Sequence, residues 1–165
     1  MMILYEKTES SFNHNGLAVL DDAVVSPVVT EQLNGLFSLE FDYPIHAKAS
    51  DKLRPEMIVK CPVPELQDQL FRIVERDDSI GGLLHIVAHH IFYDLAKNLI
   101  EDTYIVNKNG SGALTQLLGA TAVGHSFTGT SNITTVNNVR LVRLNPVEVL
   151  IDADLDNGYQ VHYGG

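Results

Sequence analysis

One cysteine, no tryptophan, and 11 Lys and Arg against 21 Asp and Glu are the scarcities of this 165-residue chain. A single thiol, Cys61, excludes an internal disulfide framework and any zinc site built on cysteines. It sits between apolar residues in "VKCPVP", which suits a small core or edge hydrophobe better than a nucleophile. The shortage of basic residues leaves a formal net charge of −10 and a pI near 4.9. Nucleic-acid binding without sequence preference relies on Lys and Arg neutralising phosphates, so this balance argues against it. Acidity of this kind serves solubility and is compatible with a basic protein partner. No apolar run approaches the ~20 residues that span a bilayer, so membrane insertion is not expected. The opening Met1-Met2-Ile3-Leu4-Tyr5-Glu6 has neither the basic n-region nor the h-region of a secretory signal.

What is present describes a globular domain. Hydrophobic residues make up 45% of the chain and the mean hydropathy is +0.04. A chain of this length buries roughly 68–70% of its unfolded surface and folds without staples. The clearest strand signal is "LNGLFSLEFDYP", in which Phe37, Leu39, Phe41 and Tyr43 alternate with Ser38, Glu40 and Asp42. That is period two with apolar and polar faces separated. Asn34-Gly35 supplies turn chemistry before it, and Pro44 limits the ladder after it. Shorter strands are expected at 3–6, 17–20, 57–63 and 70–76, with residues 76–82 ("RDDSIGG") connecting to a strand over 83–88. The first ninety residues therefore predict a mostly antiparallel barrel-like or curled sheet.

The pattern then changes. Ile91, Leu95 and Leu99, flanked by Phe92 and Ala96, form a stripe at helical spacing that predicts a helix from about His90. A second helix is expected at 113–119 ("ALTQLLG"), with Ser111 or Gly112 near its cap. A third is expected at 146–151, where Asn145 can cap, Pro146 takes the first helical position and Glu148 falls at N3. "HSFTGTSNITTVNNVRLVRL" reads as one or two strands with polar turns. "GYQVHYGG" reads as the opening of a further strand or hairpin, so the fold is expected to be cut short there. The fold class is thus α+β and β-rich: a sheet domain over 1–100, expected to be incomplete, then the start of a second α+β domain over 101–165.

"HIVAHHIFYDLAKN" gathers His85, His89, His90 and Asp94 as candidate metal ligands. On a continuous helix His85 and His89 would share a face, as in the zinc-protease helix, but that motif needs Glu where Ile86 stands. Leu84, Ile86 and Ala88 also alternate with His85, Val87 and His89, as in a strand leaving Gly81-Gly82. The better reading is a strand with His85 and His89 on its outer or partner-facing side. His90 and Asp94 then form an i,i+4 pair in the first helical turn, where Asp94 suits the positive end of the dipole. No metal, catalytic or cofactor site is assigned.

Other motifs fail on spacing. "DADLDNG" resembles a calcium loop, yet its sixth position is Asn157 and its twelfth Tyr163, where Gly and Glu are required. His125-Ser126 has no nucleophile elbow. Gly110-Ser111-Gly112 lacks the Lys-Ser/Thr of a phosphate loop. Asp21-Asp22 and Asp77-Asp78 read as turn residues.

Taken in order, "TEQLNGLFSLEFDYP", "DQLFRIVE", "GGLLHIVAHHIFYDLAKNLI" and "GALTQLLG" resemble the N-terminal hub region of phage tail-tip proteins. These are the tail-associated lysin or prophage endopeptidase tail proteins of long-tailed phages and prophages of Gram-positive bacteria. The matching residues are Leu33-Asn34-Gly35, Phe37 to Tyr43-Pro44, Phe71-Arg72-Ile73, Ala88, and His90-Ile91-Phe92-Tyr93-Asp94-Leu95. The resemblance is strongest from about Val24 to Leu118. It implies a fold similar to the baseplate hub of contractile-tailed phages, where β-domains of three subunits form a pseudo-sixfold ring. Such a ring adapts the tail tube to the three-fold tip. In that family the first β-domain is interrupted by a second and completed later in the chain.

The resemblance implies a non-enzymatic virion protein, with any peptidoglycan-cleaving activity carried by downstream domains. The partners it implies are further copies of the chain as a homotrimer, the distal tail protein ring and the tape-measure protein. The location it implies is the virion tail tip, with the host cytoplasm during assembly. Two rivals remain open. One is a small metal-dependent cell-wall hydrolase using His85, His89, His90 and Asp94. The other is a carbohydrate- or receptor-binding β-module using Tyr93, Tyr104 or Tyr159.

Overall fold

The computed structural model describes residues 1–32, 35–64, 66–78, 81–124, 127–137, 139–144, 149–152 and 160–163. The chain forms two compact units, Met1–Ile91 and Phe92–Gly165, where the sequence placed a division near residue 100. The architecture is α+β and β-rich, and its main element is a curled antiparallel half-barrel.

The first unit holds β1 (Ile3–Tyr5), β2 (Ala18–Val19), β3 (Val25–Glu31), β4 (Phe37–Pro44), β5 (Ile58–Cys61), β6 (Gln69–Asp78) and β7 (Leu83–His90). They make one seven-stranded sheet in the order β2-β1-β5-β6-β7-β4-β3. Every neighbouring pair is antiparallel. Chain connectivity forces the curl. Laid flat, six inter-strand gaps of about 4.8 Å would put β2 and β3 roughly 29 Å apart. Only residues 20–24 join them, a link that spans about 20 Å at most. The link is shortened further by turns in which Ala23 and Val24 N–H both donate to the Leu20 carbonyl at 3.0 Å.

Side-chain alternation selects the inner face. Leu39, Phe41 and Tyr43 on β4, Leu84, Ile86 and Ala88 on β7, and Phe71 and Ile73 on β6 are all buried. Each large side chain of this kind contributes about 1.5–3 kcal/mol on leaving water. Register aligns them into rows, such as Leu39–Ala88–Ile73, so the period-two pattern of each strand meets its equivalent on the next. Pro44 closes β4 without cost to the ladder. Ile45 N–H donates to the Gly82 carbonyl, so odd residues of β4 bond toward β7. The donor missing at Pro44 faces instead beyond the start of β3.

β1 is buried on both sides. Ile3, Tyr5 and Ile58 lie on the sheet's second face and are covered by Phe12, Leu70 and Ile91. The Tyr5 hydroxyl donates to the carbonyls of Phe12 at 3.1 Å and His14 at 2.5 Å, binding the 6–17 loop over this face. Gly16 makes that return possible, with φ of 55° and the Leu4 carbonyl oxygen where a Cβ would stand. Between β4 and β5 the chain crosses the inner face, burying Ala49 and Leu53. Arg76 holds this crossing by donating to the carbonyls of Ser50 and Leu53. Arg72 donates to those of Lys7 and Glu56.

Two readings of this region are corrected. β6 continues through Asp77 and Asp78, which are strand residues and not turn residues. β7 runs to His90, and the segment Ile91–Lys97 is a short 3-10 helix with no buried residue. Its repeat of about three residues per turn cannot keep Ile91, Leu95 and Leu99 on one face, and Leu99 is exposed. The strand Val25–Glu31 was not foreseen, because Pro27 interrupts its pattern.

In the second unit β8 (Ile100–Ile105) pairs with β9 (Val139–Leu144), and α1 (Gly110–Gly119) follows β8. Ile100, Ile105, Ala113, Leu117, Val136 and Val139 make its core. The helix begins three residues before the expected 113. Asn109 in extended conformation is its cap, and its Oδ1 accepts from Gly112 N–H at 2.7 Å. Gly110 packs so tightly on Ser131 and Ile133 that a Cβ would collide with both. Asn98, almost fully buried, imitates a strand: its Nδ2 donates to the Val123 carbonyl and its Oδ1 accepts from Val123 N–H.

The helix expected over 146–151 is not formed at its C-terminal end. β10 (Val149–Asp152) occupies that stretch and pairs with β11 (Gln160–Tyr163), where a strand was anticipated. Residues 145–148 and most of the acidic 152–158 turn lie outside the described residues, as do His125, Ser126 and Tyr159. No helix among the described residues is long and apolar enough to cross a membrane.

Candidate functional site

Alternation on β7 sends His85, Val87 and His89 to one face and Leu84, Ile86 and Ala88 to the other. The latter three are fully buried and the former only partly so. Cross-strand register places Asp42 and Asp77 on either side of His85, and Ser38 and Arg72 on either side of His89. The outer face of β4 and β7 therefore has histidines set among carboxylates, as the sequence pattern anticipated for that side of β7.

His85 Nδ1 lies 2.8 Å from Asp42 Oδ1, with the two side chains 44% and 35% exposed. The hydrogen bond to Asp42 raises the imidazole's pKa above its usual value, and the charges of Asp42, Glu40 and Asp77 add to the effect. Such a pair favours the imidazolium over the neutral ring more than water does. It is a partly exposed hydrogen-bonded pair on the outer face of the sheet.

His90 behaves in the opposite way. It lies between Phe37 and Phe71 across the strands, stacked on the Phe37 ring at 4.6 Å and edge-on to Phe71 at 5.6 Å. Its Nε2 is 3.1 Å from Gln69 Oε1, so the neutral ring donates there. Burial lowers its pKa to about 4. A neutral ring held between two aromatic neighbours packs, partly buried, against the edge of the core.

These placements separate the residues proposed as metal ligands. His85 and His89 are on the outer face, while His90 joins the Phe37–Phe71 row. His90 ends β7 and is not the first residue of a helix, so it and Asp94 do not share the helical turn that the sequence suggested. Asp94 belongs to the 3-10 helix. Among the described residues no group of three or more His, Cys, Asp or Glu is placed to hold a metal ion. Cys61 is buried, and burial raises its thiol pKa, in keeping with a hydrophobe's role. Tyr93 stacks on Phe92 at 4.1 Å, and Tyr104 is exposed.

Two features escaped sequence reading. Asp42 was recognised as polar-face but not as the partner of His85, because the pairing depends on register. Ser38 is 1% exposed, and its hydroxyl has no hydrogen-bond partner among the described residues. The second unit also has a shallow cavity of about 330 Å³ bordered by Thr115, Leu118, Thr121, Phe127 and Thr128.

No protein-family model and no curated protein sequence matches this chain.

Proposed function

We propose that the chain is a non-enzymatic component of a phage or prophage tail tip, a hub domain that forms a ring adapting the tail tube to the tip. One observation carries this reading. Three of the four landmark segments that resemble the hub family supply β4, β6 and β7, which are consecutive neighbours in the curled sheet, and the fourth supplies α1. Of the matching residues, Phe37, Leu39, Phe41, Tyr43, Phe71, Ile73 and Ala88 are buried in the sheet, whereas His90 to Leu95 are not, so part of the resemblance lies in residues that specify the sheet.

A ring subunit works through extended surfaces and not a cleft. The outer face bearing Asp42, His85, Val87 and His89 is such a surface. The partners of this function are further copies of the chain, as a homotrimer, the distal tail ring and the tape-measure protein. Its place is the virion tail tip, reached by assembly in the host cytoplasm. Cell-wall cleavage belongs to other domains of such proteins.

Sedimentation of the purified chain, alone and with a purified distal tail ring protein, tests the reading. Self-association or a stable complex with the ring is expected, with no release of peptidoglycan fragments from cell walls. A strict monomer that ignores the ring, or a zinc-dependent wall-cleaving activity lost on His89→Ala, would overturn it.

A further inference from the structure

The half-barrel leaves a seam between β3 at one edge of the sheet and the β2-β1-β5 side at the other. A groove of about 660 Å³ runs along it. One wall is Val24, Pro27, Val28 and Val29. The facing wall is Met1, Met2, Cys61, Pro62 and Pro64. Val25 and Val28 on the β3 side are 40% and 55% exposed. Asp21 is the one acidic or basic side chain among the described residues lining it, and its Oδ1 accepts from Met2 N–H at 2.6 Å. The segment 20–31 along this wall contains Asp21, Asp22 and Glu31, and no Lys or Arg.

The backbone of β3 gives the groove a direction. Gln32 N–H donates to the Leu36 carbonyl, and the register continues through Thr30↔Ser38 and Val28↔Glu40. In an antiparallel pair alternate residues bond inward, so 28, 30 and 32 face β4 while Val29 and Glu31 turn their N–H and C=O groups outward. No strand among the described residues pairs with that edge. Pro27 and the irregularity between Val25 and Val28 keep the usable edge short, which discourages open-ended pairing of identical sheets.

We propose that this groove binds an extended peptide as an added strand. Its backbone bonds to Val29 and Glu31, its alternate apolar side chains enter between the valine and methionine–proline walls, and flanking Lys or Arg residues meet Asp21, Asp22 and Glu31. The charge of the wall selects this occupant over a second copy, which would bring its own Glu31 and net charge of −10 against the same acids. The proposal does not depend on the tail-tip role.

Amide hydrogen exchange with three synthetic probes tests it: Lys-Lys-Val-Thr-Val-Thr-Val-Lys-Lys, the same peptide N-methylated at alternate amides, and a version flanked by Glu. The free protein should exchange Val29 and Glu31 rapidly while Val28 and Thr30 stay protected. The Lys-flanked probe should slow Val29 and Glu31 at least tenfold. The N-methylated and Glu-flanked probes should bind at least tenfold more weakly. Val28→Asp, at a position more than half exposed, should keep the melting curve and lose the peptide. Unchanged exchange at saturating probe, equal binding of the N-methylated probe, or protection that rises with protein concentration without peptide would each overturn the proposal.

Discussion

Placing His90 in the hydrophobic row makes a quantitative prediction about acid. Its imidazole takes a proton at about 4 when folded, against a usual 6.5. The unfolded chain therefore binds the proton first as pH falls. The penalty is absent above about pH 6.5, grows as pH drops, and is complete below about 4. Linkage puts the loss at ~2 kcal/mol at pH 5 and ~3 kcal/mol below pH 4. His85 acts in the other direction. Its raised pKa stabilises the fold below the unfolded value, and that contribution disappears as pH rises through the folded one. A comparison with His90→Phe isolates the first effect, since phenylalanine can stack on Phe37 and cannot titrate. Urea denaturation followed by far-ultraviolet circular dichroism at pH 7.5 and pH 5 should show wild type losing ~2 kcal/mol more than the variant. Equal losses would refute the assignment of His90 as a partly buried neutral ring.

Other expectations follow from single side chains. Ser38→Ala removes an unpartnered buried hydroxyl and should stabilise the first unit by ~1 kcal/mol in the same urea assay; a loss of that size would show the hydroxyl bonded. Asn98→Ala deletes both bonds to Val123 and should cost about 2 kcal/mol, with faster exchange of the Val123 amide. Gly16→Ala forces a side chain into positive φ against the Leu4 carbonyl and should cost about 1–3 kcal/mol, seen as a lower melting temperature.

The sheet was legible where one strand face is buried and the other wet. β4, β6 and β7 each have that alternation, and their approximate limits follow from it. β3 was hidden because "VSPVVTE" contains a proline and lies at an edge, where neither face is fully buried. β8 was hidden for another reason: the apolar stripe preceding it reads as a helix that continues through Leu99. At 146–151 the capping residues favour a helix, yet Val149, Leu150 and Ile151 pair with 161–163, and pairing outweighs local preference. The outer position of His85 was readable from alternation alone. Its bond to Asp42, the stacking of His90 on Phe37, and the seam groove all arise from register between distant strands, which local sequence does not encode.

The assembly role is tested most directly on particles. An antibody raised against the chain and labelled with gold can be applied to phage particles induced from a host carrying this reading frame, then viewed by electron microscopy. Gold at the tail end farthest from the capsid is the predicted result. Intact tailed particles that carry the label nowhere would contradict it.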